Sequence, residues 1–391
     1  MKKKRLKIGI FMDSFYPAID GVVVVIDSLA RALARYHDVT VVVPYTKTYK
    51  EDYKKEYKII RIDSIKIPYT EHRLGLMPRK KSKIYKELLN ERFDVIHIHS
   101  PFTMGKLGIK LAHDLNIPCI GTVHTRFEFD IKRITNQKWL VNKVMKFIIN
   151  VFNKCDKCIV VNEPLTDDIK KYGYKYEPVV IHNGTDLRPL EDVKHNLEAT
   201  NKIYKLENKD IVLLYVGRII DYKNIFFILD ALKLLKEDNI KFKMLYVGSG
   251  PDEDRLKTKI KQYHMEKDII LTGRIEDRLV LSSIYARADL LLFPSLMDTS
   301  SLVRIEAAVN KTPGLFIKDS MVGKTIEDSK NGFLSELDEV KYKNRIKEII
   351  NNKDLLKKVS INAQKTLGIS WEQIANITCD EYLKSIEEKN K

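Results

Sequence analysis

Three observations predict two successive doubly wound α/β domains. Short, continuous Val/Ile/Leu runs recur along the chain, helical patterns separate them, and the alternation lapses near residue 187 before restarting at residue 211. Runs that are apolar at every position fit parallel strands covered on both faces. A length of 391 residues suits two domains. An apolar content of 44% with 31% charge excludes wholesale disorder. No run reaches the ~18–20 consecutive apolar residues that a bilayer span requires.

The first strand is Lys7–Met12; its apolar run breaks at Asp13, which argues against a secretory segment behind the basic Met1–Arg5 start. A helix is expected over 22–36, strands over 39–43 and 58–62, and a helix over 82–91. Then follow strand 94–98, helix 104–115, strand 118–123, strand 158–161, helix 163–172 and strand 178–181. Residues 188–209 are polar without a strand pattern and read as a linker. The second run has strand 211–216, helix 225–237, strand 243–247, helix 255–263, strand 269–272, strand 286–294 and helix 301–310. The expected domains are thus 1–187 and 210–368, with a ligand cleft between them. Residues 369–391 form a terminal helix placed to pack back on the first domain.

Charge is divided unevenly. Residues 1–190 hold 35 Lys+Arg against 21 Asp+Glu, while residues 191–391 hold 34 against 32. The first half therefore faces an anionic partner: nucleic acid, a membrane surface or a phosphorylated substrate. Nucleic acid is disfavoured because no reader motif accompanies the charge. Only four cysteines occur, too few for a disulfide scaffold, which points to a reducing cytoplasm.

Candidate functional residues gather where strands end. Gly21 opens the first helix, where backbone amides can face an anion, although a steric need for glycine explains it equally. Arg218 and Lys223 follow strand 211–216; on one loop they can clamp a diphosphate from two directions, or stand as ordinary solvated cations. Asp298 and Glu306 can face one cleft if the first stands on a loop and the second within a helix. The amides of Ser301, Leu302 and Val303 would then be free at that helix's N-terminus; the plain alternative is a capped helix with a salt-bridged glutamate.

Other features favour structural roles. Cys155 and Cys158 run into a buried strand, so core packing is preferred over a redox or zinc site. His97 and His99 alternate on one strand without a carboxylate cluster, which disfavours a metal. Residues 138–154 form a helix with a narrow polar stripe, open to burial against the sheet or to an interfacial role. Its Lys138, Trp139 and Lys146, with Lys80, Lys81 and Lys83 nearby, are the candidate contacts for an anionic membrane surface.

Taken together, these motifs resemble the family 4 retaining glycosyltransferases, whose fold is GT-B, two Rossmann-like domains facing a central cleft. The resemblance spans nearly the whole chain. It rests on Asp20-Gly21-Val22, Val123-His124-Thr125, Asn183-Gly184-Thr185-Asp186, Gly217-Arg218 with Lys223, Val247-Gly248-Ser249-Gly250-Pro251, Leu271-Thr272-Gly273-Arg274 and Ala288-Asp289. The family signature, Glu, seven residues, Glu, falls on Asp298 and Glu306, so this chain has Asp at the first position. It also has Ser301 where the family usually has Gly.

The resemblance implies that Arg218 and Lys223 hold the donor diphosphate, aided by the amides of Ser301 to Val303. Glu306 would meet the ribose, Asp298 the donor sugar, Gly21 the sugar phosphate and His124 the transferred sugar. No cofactor or metal is expected; UDP-glucose would be the co-substrate. Related bacterial enzymes glycosylate diacylglycerol, which implies a membrane-lipid acceptor and a cytoplasmic protein held peripherally at the inner face of the membrane. The alternatives are a polysaccharide or cell-envelope acceptor, or an inactive nucleotide-sugar-binding protein. A monomer or weak dimer is expected.

Overall fold

The structure, a computed structural model, describes residues 5–18, 20–46, 52–67, 73–296 and 298–391. The chain divides into two compact units, Met1–Asn183 with Trp371–Lys391, and Gly184–Ser370.

The first unit is built on β1 (Lys7–Phe11), α1 (Gly21–Ala34), β2 (Asp38–Pro44), β3 (Lys58–Ile62), the short antiparallel pair β4 (Ser64–Lys66) and β5 (Arg73–Gly75), and α2 (Lys83–Asn90). It continues through β6 (Val95–Ile98), α3 (Thr103–Leu115), β7 (Cys119–Val123), α4 (Phe127–Ile134), α5 (Lys138–Phe152), β8 (Lys157–Val160), α6 (Pro164–Lys171) and β9 (Val179–Val180). Among the described residues the parallel sheet has seven strands in the order β3-β2-β1-β6-β7-β8-β9. Strand order reverses beside β1, and ligands bind outside the carboxyl ends of strands at such a reversal. Ile8, Ile10, Val41, Val42, Ile96, Ile98 and Ile120 are wholly buried. This is why their strands read as unbroken apolar runs.

The helix Trp371–Lys389 also belongs to this unit and packs on α1. Trp371, Ile374, Cys379 and Tyr382 are buried along it. Its polar side is tied down by Glu372 to Arg35 (3.3 Å) and Tyr36 (3.2 Å), Glu381 to Lys157 (3.0 Å) and Lys389 to Asp156 (2.8 Å).

The second unit runs α7 (Val193–Tyr204), β10 (Val212–Val216), α8 (Ile225–Glu237), β11 (Lys243–Val247), α9 (Glu253–Gln262), β12 (Ile269–Gly273) and α10 (Arg278–Arg287). Then come β13 (Leu290–Phe293), α11 (Leu302–Val309), β14 (Gly314–Ile317), β15 (Phe333–Ser335), α12 (Glu339–Asn351) and α13 (Lys353–Leu367). The terminal helix of the first unit is accordingly α14. Six parallel strands are ordered β12-β11-β10-β13-β14-β15 among the described residues.

Two segments depart from their sequence reading. The polar stretch 188–209 contains α7, which packs on α10; Arg287 Nε donates to Asn201 Oδ1 at 2.6 Å. Polar side-chain bonds, invisible to apolar periodicity, hold that helix. The strand expected over 286–294 is confined to Leu290–Phe293, because Ala286 and Arg287 complete α10. Asp277 starts that helix by accepting from the amides of Leu279 (2.8 Å) and Val280 (3.0 Å).

Tyr382 is wholly buried and its hydroxyl lies 2.7 Å from His97 Nδ1. Tyr382→Ala should lower unfolding free energy by about 3–5 kcal/mol in denaturant titration, the range for losing a buried aromatic ring. Tyr382→Phe should cost only about 1–3 kcal/mol, the scale of one buried group left without its partner.

Candidate functional site

In the second unit, the loops after β10 and β11 are knitted together by backbone bonds. The Gly217 amide donates to Val247 O (2.9 Å) and the Ile219 amide to Ser249 O (3.0 Å). Glycine is required at two points. Gly248 sits at φ +140°, where a Cβ would lie 1.9 Å from Gly217 O, and a Cβ on Gly250 would lie 2.1 Å from Ile219 O. This close approach fixes the loop that carries Arg218 and Lys223. Arg218 is exposed, and its carbonyl accepts from the buried Tyr215 hydroxyl at 2.9 Å.

Lys223 ends a single 3₁₀ turn, and its Nζ donates to Asp298 Oδ1 at 2.5 Å. The loop after β10 thus meets the loop after β13. Asn224, held at φ +60°, adds a second tie by donating Nδ2 to Pro294 O at 2.8 Å. The other carboxylate oxygen, Asp298 Oδ2, is buried without a hydrogen-bond partner among the described residues. A carboxylate oxygen in that condition is costly unless a donor arrives.

Ser301 caps α11: its side chain accepts from the Arg304 amide at 3.3 Å. The serine therefore does the work of an N-cap. As the first two helical residues, Leu302 and Val303 have amides with no acceptor inside the helix. One turn on, Glu306 is only 8% exposed. Its Oε2 accepts from the Tyr285 hydroxyl (2.9 Å) and its Oε1 from Arg278 Nη2 (3.4 Å). Burial raises the Glu306 carboxyl above its ordinary value, against the opposing pull of Arg278 and Tyr285. Arg278, Tyr285 and Asn224 carried no sequence signal, because each acts through tertiary neighbours.

In the first unit, Gly21 is exposed at the first position of α1, and a Cβ there would meet nothing within 4 Å among the described residues. Steric need does not explain this glycine. Asp20 accepts from the amides of Val22 (2.9 Å) and Val23 (2.9 Å), so a carboxylate already occupies that helix start. His124 follows β7 and stands 2.8 Å from His99 through Nε2. Among the described residues, no group of three or more His, Cys, Asp or Glu is arranged to hold a metal ion. All four cysteines are buried; Cys155 lies 4.0 Å from Cys119, and burial pushes the Cys158 thiol up to about 12.

Among the candidate membrane residues, Lys80 and Lys81 lie in the turn before α2, Lys83 opens that helix, and Lys138, Trp139 and Lys146 lie on α5. Lys80 pairs with Asp114 of α3 at 2.8 Å, and Lys106 of α3 lies over the Phe147 ring of α5 at 4.4 Å. Helix α5 buries Val141, Met145, Ile148 and Ile149. It exposes Lys138, Trp139 (64%), Lys146 and Phe147 (48%). The sequence reading missed Ile65, Ile67, Leu74, Leu76 and Met77, all exposed on and around β4–β5. Strands this short give no periodicity to detect. No helix of the described residues is long and apolar enough to cross a membrane.

With this geometry in hand, residues 19–188 match the family described as Glycosyltransferase Family 4, and residues 197–366 match that described as Glycosyl transferases group 1. The alpha-monoglucosyldiacylglycerol synthase of Acholeplasma laidlawii is 27% identical over 402 residues, covering 99% of each chain. The synthase of the same name from Streptococcus pneumoniae is 27% identical over 335 residues, covering 84% of this chain and 75% of that protein. Anabaena HepE, solved with UDP, superposes with a TM-score of 0.75 at 15% identity, covering 97% of this chain and all of that one. That likeness shows the fold.

The Glu306 environment has a pH consequence. Its folded-state pKa lies above the ordinary 4.5, so folding takes up a proton between those two values. Stability contributed by this group is full below 4.5 and is lost as pH rises through the raised value. Glu306→Gln has no such loss. The stability difference between variant and wild type should therefore move toward the variant as pH rises from about 4 to about 7. Thermal unfolding across that range checks it; a constant difference would mean burial imposes no cost there.

Proposed function

We propose that this chain, a family 4-like glycosyltransferase with the GT-B fold, is a retaining enzyme that moves glucose from UDP-glucose to a membrane lipid such as diacylglycerol. In this reading the bond between the sugar C1 and the diphosphate breaks, its electron pair leaves on the UDP oxygen, and the acceptor hydroxyl oxygen bonds to C1 as it passes its proton to that departing phosphate oxygen. Arg218 and Lys223 stabilise the charge that grows on the diphosphate, where preorganised cations are worth most. The amides of Leu302 and Val303 add donors to the same oxygens. Glu306 accepts from the ribose hydroxyls; Gly21 is assigned to the sugar phosphate and His124 to the transferred sugar. No metal is needed when fixed cations and amides supply the charge, so activity should persist in excess EDTA.

The observation that carries the donor half is Asp298. One oxygen is held by Lys223 at 2.5 Å, and the other is buried with no protein donor among the described residues. A sugar hydroxyl is the donor that completes it. The Asp carboxyl reaches ~1.5 Å less far than Glu would, which places the sugar closer to the loop after β13.

The acceptor half is supported by the mixed surface of the first unit. Lysines and large exposed apolar side chains occur together along α5 and beside β4–β5, the composition of an interfacial surface. The full-length similarity to the Acholeplasma synthase, whose name specifies diacylglycerol, points the same way.

Two measurements test the proposal. Arg218→Ala should weaken UDP binding and cost about 2–4 kcal/mol in transition-state stabilisation, with little change in thermal stability. Asp298→Asn should instead cripple transfer while UDP affinity stays near wild type, since UDP carries no sugar. Isothermal titration with UDP, beside transfer assays on lipid extract, separates the two. Equal loss of UDP affinity in both variants would contradict the division of roles.

Vesicle cosedimentation tests the acceptor side. Each Lys or Arg near an anionic surface contributes about 1 kcal/mol, so binding should be strong to anionic vesicles and weak to neutral ones. It should reverse near 0.5 M salt, where the Debye length is roughly 4–5 Å. Replacing Lys80, Lys81, Lys83, Lys138 and Lys146 together should abolish it, and Trp139→Ala should weaken it. A protein that ignores anionic vesicles at low salt but glycosylates a soluble glycan would place the acceptor in the cell envelope instead.

A further inference from the structure

Strands β6 and β7 are parallel neighbours, with His97 paired to Ile120 in register. Residues two apart in a strand direction share a side of the sheet, which brings His97, His99, Thr122 and His124 into one polar row. His97 is anchored at both nitrogens, Nδ1 to the Tyr382 hydroxyl of α14 (2.7 Å) and Nε2 to Thr122 Oγ1 (2.6 Å). Its ring lies 4.0 Å from that of His99, centre to centre, and fixes the plane of His99. His99 Nδ1 then meets His124 Nε2 at 2.8 Å, with the two rings stacked at 21°. The remaining nitrogen, His99 Nε2, is buried and has no partner among the described residues.

One proton lies between His99 and His124, and there are two ways to place it. If His124 Nε2–H donates, His99 must carry its own proton on Nε2, leaving a buried N–H with no acceptor. If His99 Nδ1–H donates, the buried Nε2 is a bare acceptor and His124 carries its proton on Nδ1. Orphaned buried N–H groups are the rarer of the two defects in folded proteins. Burial also pushes His97 and His124 down to about 3 and His99 well below its ordinary value, so no second proton enters the row near neutral pH.

We propose that His99 is a positioning residue that holds His124 as its Nδ1–H tautomer, making His124 a fixed, neutral hydrogen-bond donor toward a sugar oxygen. The inference deepens the proposed function and rests on its placement of His124 at the transferred sugar. In consequence His124 donates throughout the neutral range and never serves as a base.

The full-length protein, labelled with ¹⁵N in its histidine rings, tests the tautomer directly. Long-range ¹H–¹⁵N correlation near pH 7 should show His124 protonated at Nδ1 and bare at Nε2, assigned by the signals lost in His124→Gln. A protonated Nε2, or averaging between tautomers, would overturn the proposal. Kinetics test its consequence. His99→Phe should lower kcat at least about tenfold, as loss of a preorganised donor does, with KM for the donor sugar nearly unchanged. His99→Asn, whose side-chain N–H lies close to the Nδ1 position, should recover most of that loss. Wild-type kcat in His99→Phe, or equal damage in His99→Asn, would count against positioning, as would a falling rate below pH 7 that tracks imidazole protonation. If His99→Phe does not fold, the wild-type spectrum still decides the tautomer. Should His124→Ala transfer sugar normally, the sugar-contact role fails with its functional consequence, while the spectrum independently reports the tautomer.

Discussion

A parallel strand buried on both faces takes a polar side chain only where a partner is built in for it, as for His97 and Thr122, and leaves its ends as the open place for charge; most of the site geometry here follows from that constraint. In the first unit, Asp13 and Gly21 come after β1, His99 after β6 and His124 after β7. In the second, Arg218 and Lys223 come after β10 and Asp298 after β13. Parallel pairing makes all these ends point the same way within a sheet, so residues distant in sequence are delivered to one edge. Polar contacts refine the edge: Gly248 and Gly250 let two loops approach within bonding distance, and Asn224 ties a third to them.

At such an edge, charges are only partly solvated, and each must be matched. Lys223 satisfies one oxygen of Asp298, with side chains 18% and 22% exposed, while the other oxygen has no partner among the described residues. A pair of this kind contributes little net stability, since desolvation opposes attraction, but it fixes where both groups point. Glu306 is deeper and is matched by Tyr285 and Arg278, yet its carboxyl still titrates high. The histidine row takes the opposite course: burial disfavours its charged form, and hydrogen bonds with ring contacts orient it. The second unit thus gathers cations and helix-terminal amides at its sheet edge, and the first a buried imidazole row.

The first unit's outer surface obeys a different rule. Helix α5 buries one apolar stripe against its own unit but leaves Trp139 and Phe147 exposed among lysines. Sequence periodicity allowed either a core helix or an interfacial one, and the two are not exclusive. Fifteen residues are enough for one buried stripe and one outward face. With Ile65, Leu74, Leu76 and Met77 also exposed near β4–β5, exposed apolar side chains occur on the unit that carries the basic excess. Scattered exposed apolar residues are ordinary; what marks this surface is that lysines stand among them.

The fold class, most of the longer strands and the places of Arg218, Lys223, Asp298 and Glu306 after strands or within a helix were legible in the sequence by itself, whereas β4, β5, β14 and β15 were not read. Burial on both faces writes a continuous apolar run, and the residue after the run marks the functional edge. Helices α7 and α10 were not legible, because α7 is polar along its length and α10 runs directly into the apolar β13. Nor could spacing show that Lys223 reaches Asp298, 75 positions away. The same holds for Glu306, which is held by two residues of α10, and for His97 and His99, which the sequence presented as a bare alternation on one strand. Sheet register brings β6 beside β7 and β10 beside β13, while packing of α10 on α11 brings Arg278 and Tyr285 to Glu306. Register is set by packing of the whole sheet rather than by any local run of residues, so only the tertiary structure could decide it.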